Sequence, residues 1–345
     1  MLRLEREDDI TLPAKYYWLI AAIAVVLVVA ALLVSRIPSP NTEVRGAGEY
    51  YLRFTSDGKY LVTIGEANIR TWNVPNLKLT QTLDYTSNQY KIRIAVSPDA
   101  QLIAKNDETG TLKIWQAVNG KLLYTLSGYT DFNLLQFSED GKFLVSSGKN
   151  GLSDKPSIRL WQTSDFELVR VWDNLLYAAI SPDSKYIVVE SDFQTILAQI
   201  WLINDGSLLK TLNASQDIIG GLISVNFSPD GSLLAFGVDY NKGHKGTQIW
   251  RVSDWSLLST FSNPDGPGTL AFSPDNQVLA VGHITPEVES RLNEADIELR
   301  HVKDGSLIKK LIGHTKDVYS LAFSPDGKYL ASSSKDETIR LWSLT

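Results

Sequence analysis

A chain of 345 residues with a formal charge of −6 and no cysteine excludes several classes at once. Without cysteine there are no disulfides, no thiol nucleophile and no cysteine-ligated zinc. The acidic balance leaves no basic stripe of the kind nucleic-acid binding needs.

Residues 1–15 form a short charged tail, with Arg3, Arg6 and Lys15 set against Glu5, Glu7, Asp8 and Asp9. Residues 16–35, YYWLIAAIAVVLVVAALLVS, then run 20 positions without a charge. As a helix, at about 1.5 Å per residue, this run spans the roughly 30 Å of a bilayer's hydrocarbon core. Tyr16, Tyr17 and Trp18 supply an aromatic belt at one end. The run is too long for the apolar core of a cleaved signal peptide, and no small-x-small site precedes a plausible cut. It reads as one transmembrane helix, a signal-anchor. Arg3, Arg6 and Lys15 on one side balance Arg36, Arg45 and Arg53 on the other, so the positive-inside rule does not orient it. An N-terminal anchor ahead of a large domain usually acts as an uncleaved export signal, so the expected site of that domain is extracytoplasmic. Residues 36–40 (RIPSP) form a stiff linker.

From residue 51 onward one unit repeats. Its clearest copy is the last, 311–342: an apolar strand, the turn Ser324-Pro325-Asp326-Gly327, a second strand, a polar turn and a third strand ending in Trp342. Pro325 presets φ, Asp326 bonds its own backbone and Gly327 accepts a positive φ. The turn returns around Asp57, Asp99, Asp140, Asp183, Asp230, Asp275 and Asp326, which lie 42, 41, 43, 47, 45 and 51 residues apart. A period of about 40–45 residues with four short strands per unit is that of a propeller blade. A tryptophan follows in six copies, at Trp72, Trp115, Trp161, Trp201, Trp250 and Trp342, and Arg300 takes its place in the sixth copy.

These turns and tryptophans resemble the WD-repeat β-propeller family over residues 41–345. The resemblance implies an all-β, seven-bladed WD-repeat β-propeller, here preceded by the one N-terminal transmembrane helix. The family's structural tetrad maps in full onto the last copy alone, as His314, Ser332 (from the run 332–334), Asp336 and Trp342. The family also implies a non-catalytic protein–protein interaction scaffold that uses the rim and loops of one face. The expected molecule is a monomer with a protein partner, a membrane contact through 16–35, and no cofactor.

The last copy stops after its third strand, so residues 41–45 are predicted to supply the missing outer strand and close the ring. That strand would start on the face bearing the Ser-Pro-Asp-Gly turns. The opposite face would carry three long insertions, 148–157, 239–247 and 282–296. Loops extended on one face of a repeat array mark a binding face. The third insertion supplies the candidate partner-binding set: Glu287, Glu289, Arg291 and Glu294, with Arg300 beyond it. The rival reading is a tolerated surface loop, with Arg300 paired to an insertion carboxylate.

No catalytic or metal site stands out. His244 and His283 lie near insertions of adjacent blades, but nothing supplies the third ligand a metal needs, and both read as solvated loop histidines. No Ser-His-Asp pattern, HExxH or phosphate-binding glycine loop occurs. Phe166 and Trp255 fall in turns between third and outer strands, on the face expected toward the membrane, where they either touch the lipid interface or pack over the adjacent outer strand. The innermost strands read as small and apolar, as at 270–272 and 321–323. The other classes weighed are a propeller enzyme acting on a glycan or ester, and a domain sensing an external ligand.

Overall fold

The computed structural model describes residues 42–344, apart from 46–48, 66–67, 85–92, 118–119, 127–128, 150–154, 176–177, 191–195, 214–217, 241–244, 264–265, 284–294 and positions 100, 108 and 130. The apolar run 16–35, the tail before it and the linker after it lie outside that range. Among the described residues, no helix is long and apolar enough to cross a membrane.

The Ser-Pro-Asp-Gly turns set the local structure. The hydroxyls of Ser97, Ser138, Ser181, Ser228, Ser273 and Ser324 each donate to the turn aspartate's Oδ1 at 2.6–2.7 Å. Each also accepts, at 2.9 Å, the N–H that opens the next strand. In the first copy Thr55 plays this part, 2.7 Å from Asp57, and Ser56 stands where five other copies have proline and the third has Glu139. Gly327 closes its turn at φ 71°, where an L side chain is strained.

Each turn joins the first two strands of a four-stranded antiparallel sheet, and seven such sheets form the blades. Blade six shows the plan: an inner strand Pro267–Phe272, a second strand Val278–His283, a third strand Ala295–His301 and an outer strand Leu307–His314. No blade holds a core of its own. Seven apolar clusters each straddle two neighbouring blades, and the tryptophan of a third strand faces the preceding blade. Trp342 (1% exposed) thus packs among Leu299, Leu311 and Leu321. Each blade is held only by its neighbours, so stability is shared around the ring.

Blade seven consists of Val318–Phe323, Tyr329–Ser334 and Thr338–Ser343, and its outer strand is the N-terminal Thr42–Arg45. Thr42 lies opposite Leu341 and Arg45 opposite Thr338. Arg340 Nη2, nearly buried, reaches Glu43 Oε2 at 3.1 Å across this seam. Because Thr338 begins the third strand and Leu341 is near its end, Thr42–Arg45 starts on the turn face and runs toward the loop face.

The loop face differs from the sequence reading in one respect. Two of the three insertions begin and end in ladder: Gly148 pairs with Ser157 and Lys149 with Pro156, while Asp239 pairs with Lys245 and Gly246 and Thr247 pair with Val238 and Gly237. Extending the hairpin gives the backbone groups partners that a loop would leave to solvent. Blade five has the longest ribbon, Ile218–Phe227 against Leu233–Tyr240. The third insertion, 284–294, lies outside the described residues.

Candidate functional site

Blade seven brings four polar side chains into one line. Trp342 Nε1 donates to Ser332 Oγ at 2.9 Å, and Ser332 Oγ lies 2.7 Å from His314 Nε2. His314 Nδ1 lies 3.0 Å from Asp336 Oδ2, which also accepts the Thr315 N–H at 2.9 Å. Thr338 donates its N–H and its hydroxyl to Asp336 Oδ1 at 3.0 and 2.6 Å. Burial holds His314 below the ordinary histidine range and outweighs the pull of Asp336, so the ring is neutral. Burial alone would raise the Asp336 carboxyl, but donation from His314 and Thr338 carries it well below its usual value. A neutral ring donating from Nδ1 to Asp336 and accepting at Nε2 from Ser332 satisfies every partner.

These are the four residues expected of the structural tetrad, and three of them also have the connectivity of a Ser-His-Asp triad. That triad lacks access. Ser332 is 0% exposed and its oxygen already accepts the indole N–H, so no substrate atom reaches it. The line ties the third strand of blade seven to the connection from blade six.

The comparisons with known proteins agree with this geometry. The model of the WD domain, G-beta repeat, matches residues 120–162 and 305–343, the second of which contains the whole line from His314 to Trp342. The chain is a WD-repeat β-propeller. A serine-threonine kinase receptor-associated protein of Gallus gallus is 24% identical over 72% of this chain and 65% of its own length. A nuclear distribution protein of Arthroderma otae is 28% identical over 73% of this chain and 58% of its own. An uncharacterised WD repeat-containing protein of Synechocystis sp. is 33% identical over 39% of this chain and 34% of its own. Each match thus covers less than two-thirds of the relative.

Elsewhere in this WD-repeat ring the tryptophan N–H finds other acceptors. Trp72 donates to Thr63 at 2.8 Å and Trp161 to Ser146 at 2.9 Å, both hydroxyls on second strands. Trp201 and Trp250 instead use Gln199 and Gln248, two residues back on their own strands, at 3.2 and 3.1 Å. Blade six replaces both members of that pair. Arg300 stands at the tryptophan position and Glu298 at the glutamine position, with Arg300 Nε and Nη2 each 2.7 Å from Glu298 Oε2. Arg300 Nη1 also caps Gly305 O at 2.7 Å, and its guanidinium lies over the Phe261 ring at 4.8 Å.

Arg300 therefore lies by the turn after its strand, at the far end from the insertion. Among the described residues it pairs with Glu298 of its own strand. Both charges are largely shielded, and a paired neighbour on the same face satisfies the guanidinium best. Glu287, Glu289, Arg291 and Glu294 lie outside the described residues. Asp296, at the insertion's edge, pairs with Lys310 at 3.2 Å, and Lys310 also reaches Glu298 Oε1 at 3.3 Å. Ala295 begins the third strand.

His283 corrects the reading of a solvated loop histidine. It ends the second strand of blade six, is 2% exposed, and its Nε2 lies 3.7 Å from Glu298 Oε2. The longer ladder carries it under the neighbouring strands. Asn263, wholly buried, adds a contact to Glu298 at 3.5 Å. Burial would raise the Glu298 carboxyl, but His283 and Arg300 draw it down to about 2. The sequence held a signal for this cluster: Glu298 and Arg300 are two apart on a strand and must share a face.

Two further positions resolve alternatives. Phe166 is 4% exposed and its ring sits 4.8 Å from Tyr124 of the preceding blade's outer strand. Trp255, partly buried, meets Tyr186 edge-on at 5.5 Å. The inner strands are more polar than expected, since Arg53 of blade one reaches Glu139 in the turn of blade three at 2.5 Å. His244 lies outside the described residues, and no group of three or more possible metal ligands occurs among those described.

Proposed function

We propose that this chain is a membrane-tethered scaffold that presents the loop face of its propeller to a protein partner on the extracytoplasmic side. The observation that carries the reading is the register of Thr42–Arg45, which begins on the turn face. A tether at residues 16–35 then joins on that side and leaves the loop face free. That face bears the long ribbon of blade five and the insertion 284–294 with its acidic residues. A ring held at every blade junction keeps such elements in place, so little entropy is lost when a partner binds. The name of the Gallus gallus relative describes association with another protein, which is the same kind of role.

Two measurements test the proposal. A Ser290→Cys variant is the only thiol in the chain. Labelling by a membrane-impermeant maleimide on intact cells is expected; labelling only after lysis would place the propeller inside and refute the location. Affinity capture with the full chain is expected to lose its partner when residues 286–294 are deleted. A partner kept by that variant, and kept again when residues 241–244 are shortened, would remove the loop face from the reading.

A further inference from the structure

The seven blades repeat one plan, so a polar group in a place where every other blade is apolar calls for an explanation. Trp172 is such a group. It lies on the outer strand of blade three, Leu168–Asp173, opposite Ile158. The matching positions of blades one, two, four, five and six hold Leu83, Leu126, Leu212, Phe261 and Leu311, none of which has a polar side-chain atom. Trp172 is 5% exposed and its Nε1 has no hydrogen-bond partner. Two residues earlier, on the same face of the strand, Arg170 Nε is buried and equally unpartnered.

Both residues line an open groove of about 550 Å³ between the outer strand of blade three and the edge of blade four, with Gln199, Trp201 and Gly206 on the facing side. Arg170 lies so close over Gly206 that a Cβ there would stand 2.2 Å from its Nη1. The facing polar groups are already engaged. Trp201 donates to Gln199, and Asp205, beside Arg170, accepts the Ser207 N–H and hydroxyl at 2.9 and 2.8 Å. Arg170 Nε and Trp172 Nε1 thus stay without a hydrogen-bond partner, buried just beneath a groove that both side chains line. Their strand is the edge of its sheet, and Leu168, Val169 and Val171 are 47%, 38% and 41% exposed along it.

We propose that this groove is a docking site for an extended peptide segment bearing a carboxylate side chain. The peptide backbone adds to the free edge of Leu168–Asp173, as strand addition requires. Its apolar side chains cover Leu168, Val169 and Val171. Its carboxylate accepts from Arg170 Nε and Trp172 Nε1, a charge-assisted contact that neutral or cationic side chains do not make. The site lies on the rim and stands independently of the loop face.

The test uses the full-length chain and four fluorescein-labelled peptides of the pattern Val-Thr-Val-Xaa-Val-Thr, with Glu, Gln, Lys or Ala as Xaa. By fluorescence anisotropy the Glu peptide should bind at least about tenfold more tightly than the Lys and Ala peptides. Trp172→Phe keeps the ring and removes the N–H; Arg170→Gln removes the charge. Each should weaken the Glu peptide by about tenfold at a temperature where its melting curve shows it fully folded, while Lys210→Gln on the next outer strand leaves binding unchanged. Bound peptide should slow amide exchange within 168–173. Equal binding of the Glu and Lys peptides, full binding by both variants, no binding by any peptide, or protection of another edge strand would each overturn the proposal.

Discussion

Cutting the chain before Gly48 removes the outer strand of blade seven and should open the ring. Four residue pairs join Thr42–Arg45 to Thr338–Leu341. A ladder of that length holds about three backbone hydrogen bonds, worth roughly 1 kcal/mol each. Val44, packed against the cluster shared by blades seven and one, adds about 1 kcal/mol. Removal of Glu43 strands the nearly buried Arg340 cation, at about 3 kcal/mol. Against this, four residues regain their freedom at about 1 kcal/mol each. The net loss is about 3 kcal/mol, which lowers the melting temperature by roughly 5 °C in a domain of this size. The third strand of blade seven also becomes an open edge and a site for aggregation. The assay is thermal unfolding by circular dichroism of chains starting at Pro40 and at Gly48. Glu43→Gln in the full chain isolates the ion pair and should fall between them. Melting curves that coincide within about 1 °C would refute the closure argument.

In blade six, Arg300→Trp alone should destabilise by about 3 kcal/mol, because Glu298 keeps its burial and loses its closest partner. Adding Glu298→Gln copies the Gln248–Trp250 pair of blade five and should restore most of the loss, as a double-mutant cycle in urea would show. The Glu298 carboxyl titrates near 2 when folded against an ordinary 4.5. Its stabilisation is therefore complete above about pH 4.5 and lost as pH falls toward 2, a dependence that Glu298→Gln should flatten in acid unfolding. His314 is held below its ordinary 6.5 by burial, so the unfolded chain binds the proton more readily. Stability should be full above pH 6.5 and fall below it; His314→Gln should narrow the difference from the parent as pH drops from 7.5 to 5.5.

The blades were legible because their signals are local. A serine, an aspartate and a positive-φ residue within four positions fix a turn whatever lies around them, and period 2 gives the strands between. The tetrad was legible for the same reason, since His314, Ser332, Asp336 and Trp342 all fall within one repeat. What was not legible depends on neighbours in space. His283 looked like a loop residue because nothing local states how far the hairpin of blade six extends. Arg53 and Glu139 are 86 positions apart and meet only because inner strands converge on one axis. The unpartnered N–H of Trp172 becomes visible only when the facing blade's acceptors are counted.

The eroded repeats follow from what the third-strand tryptophan needs. Its ring is required to fill the junction with the preceding blade, but its N–H asks for one acceptor and no particular one. A hydroxyl on the second strand serves in blades one, three and seven, and a glutamine two residues back serves in blades four and five. Histidine and aspartate enter only in blade seven, where they anchor the acceptor itself to the preceding connection. A blade can therefore shed three of the four tetrad residues and keep its junction, provided one oxygen remains in reach. Blade six goes further and exchanges the ring for a guanidinium, which Glu298 neutralises where both side chains are largely shielded from solvent. By the same rule an indole N–H that has no oxygen in reach, as at Trp172, is out of keeping with the rest of the ring. The acceptor it lacks is the reason to look for a ligand at that junction.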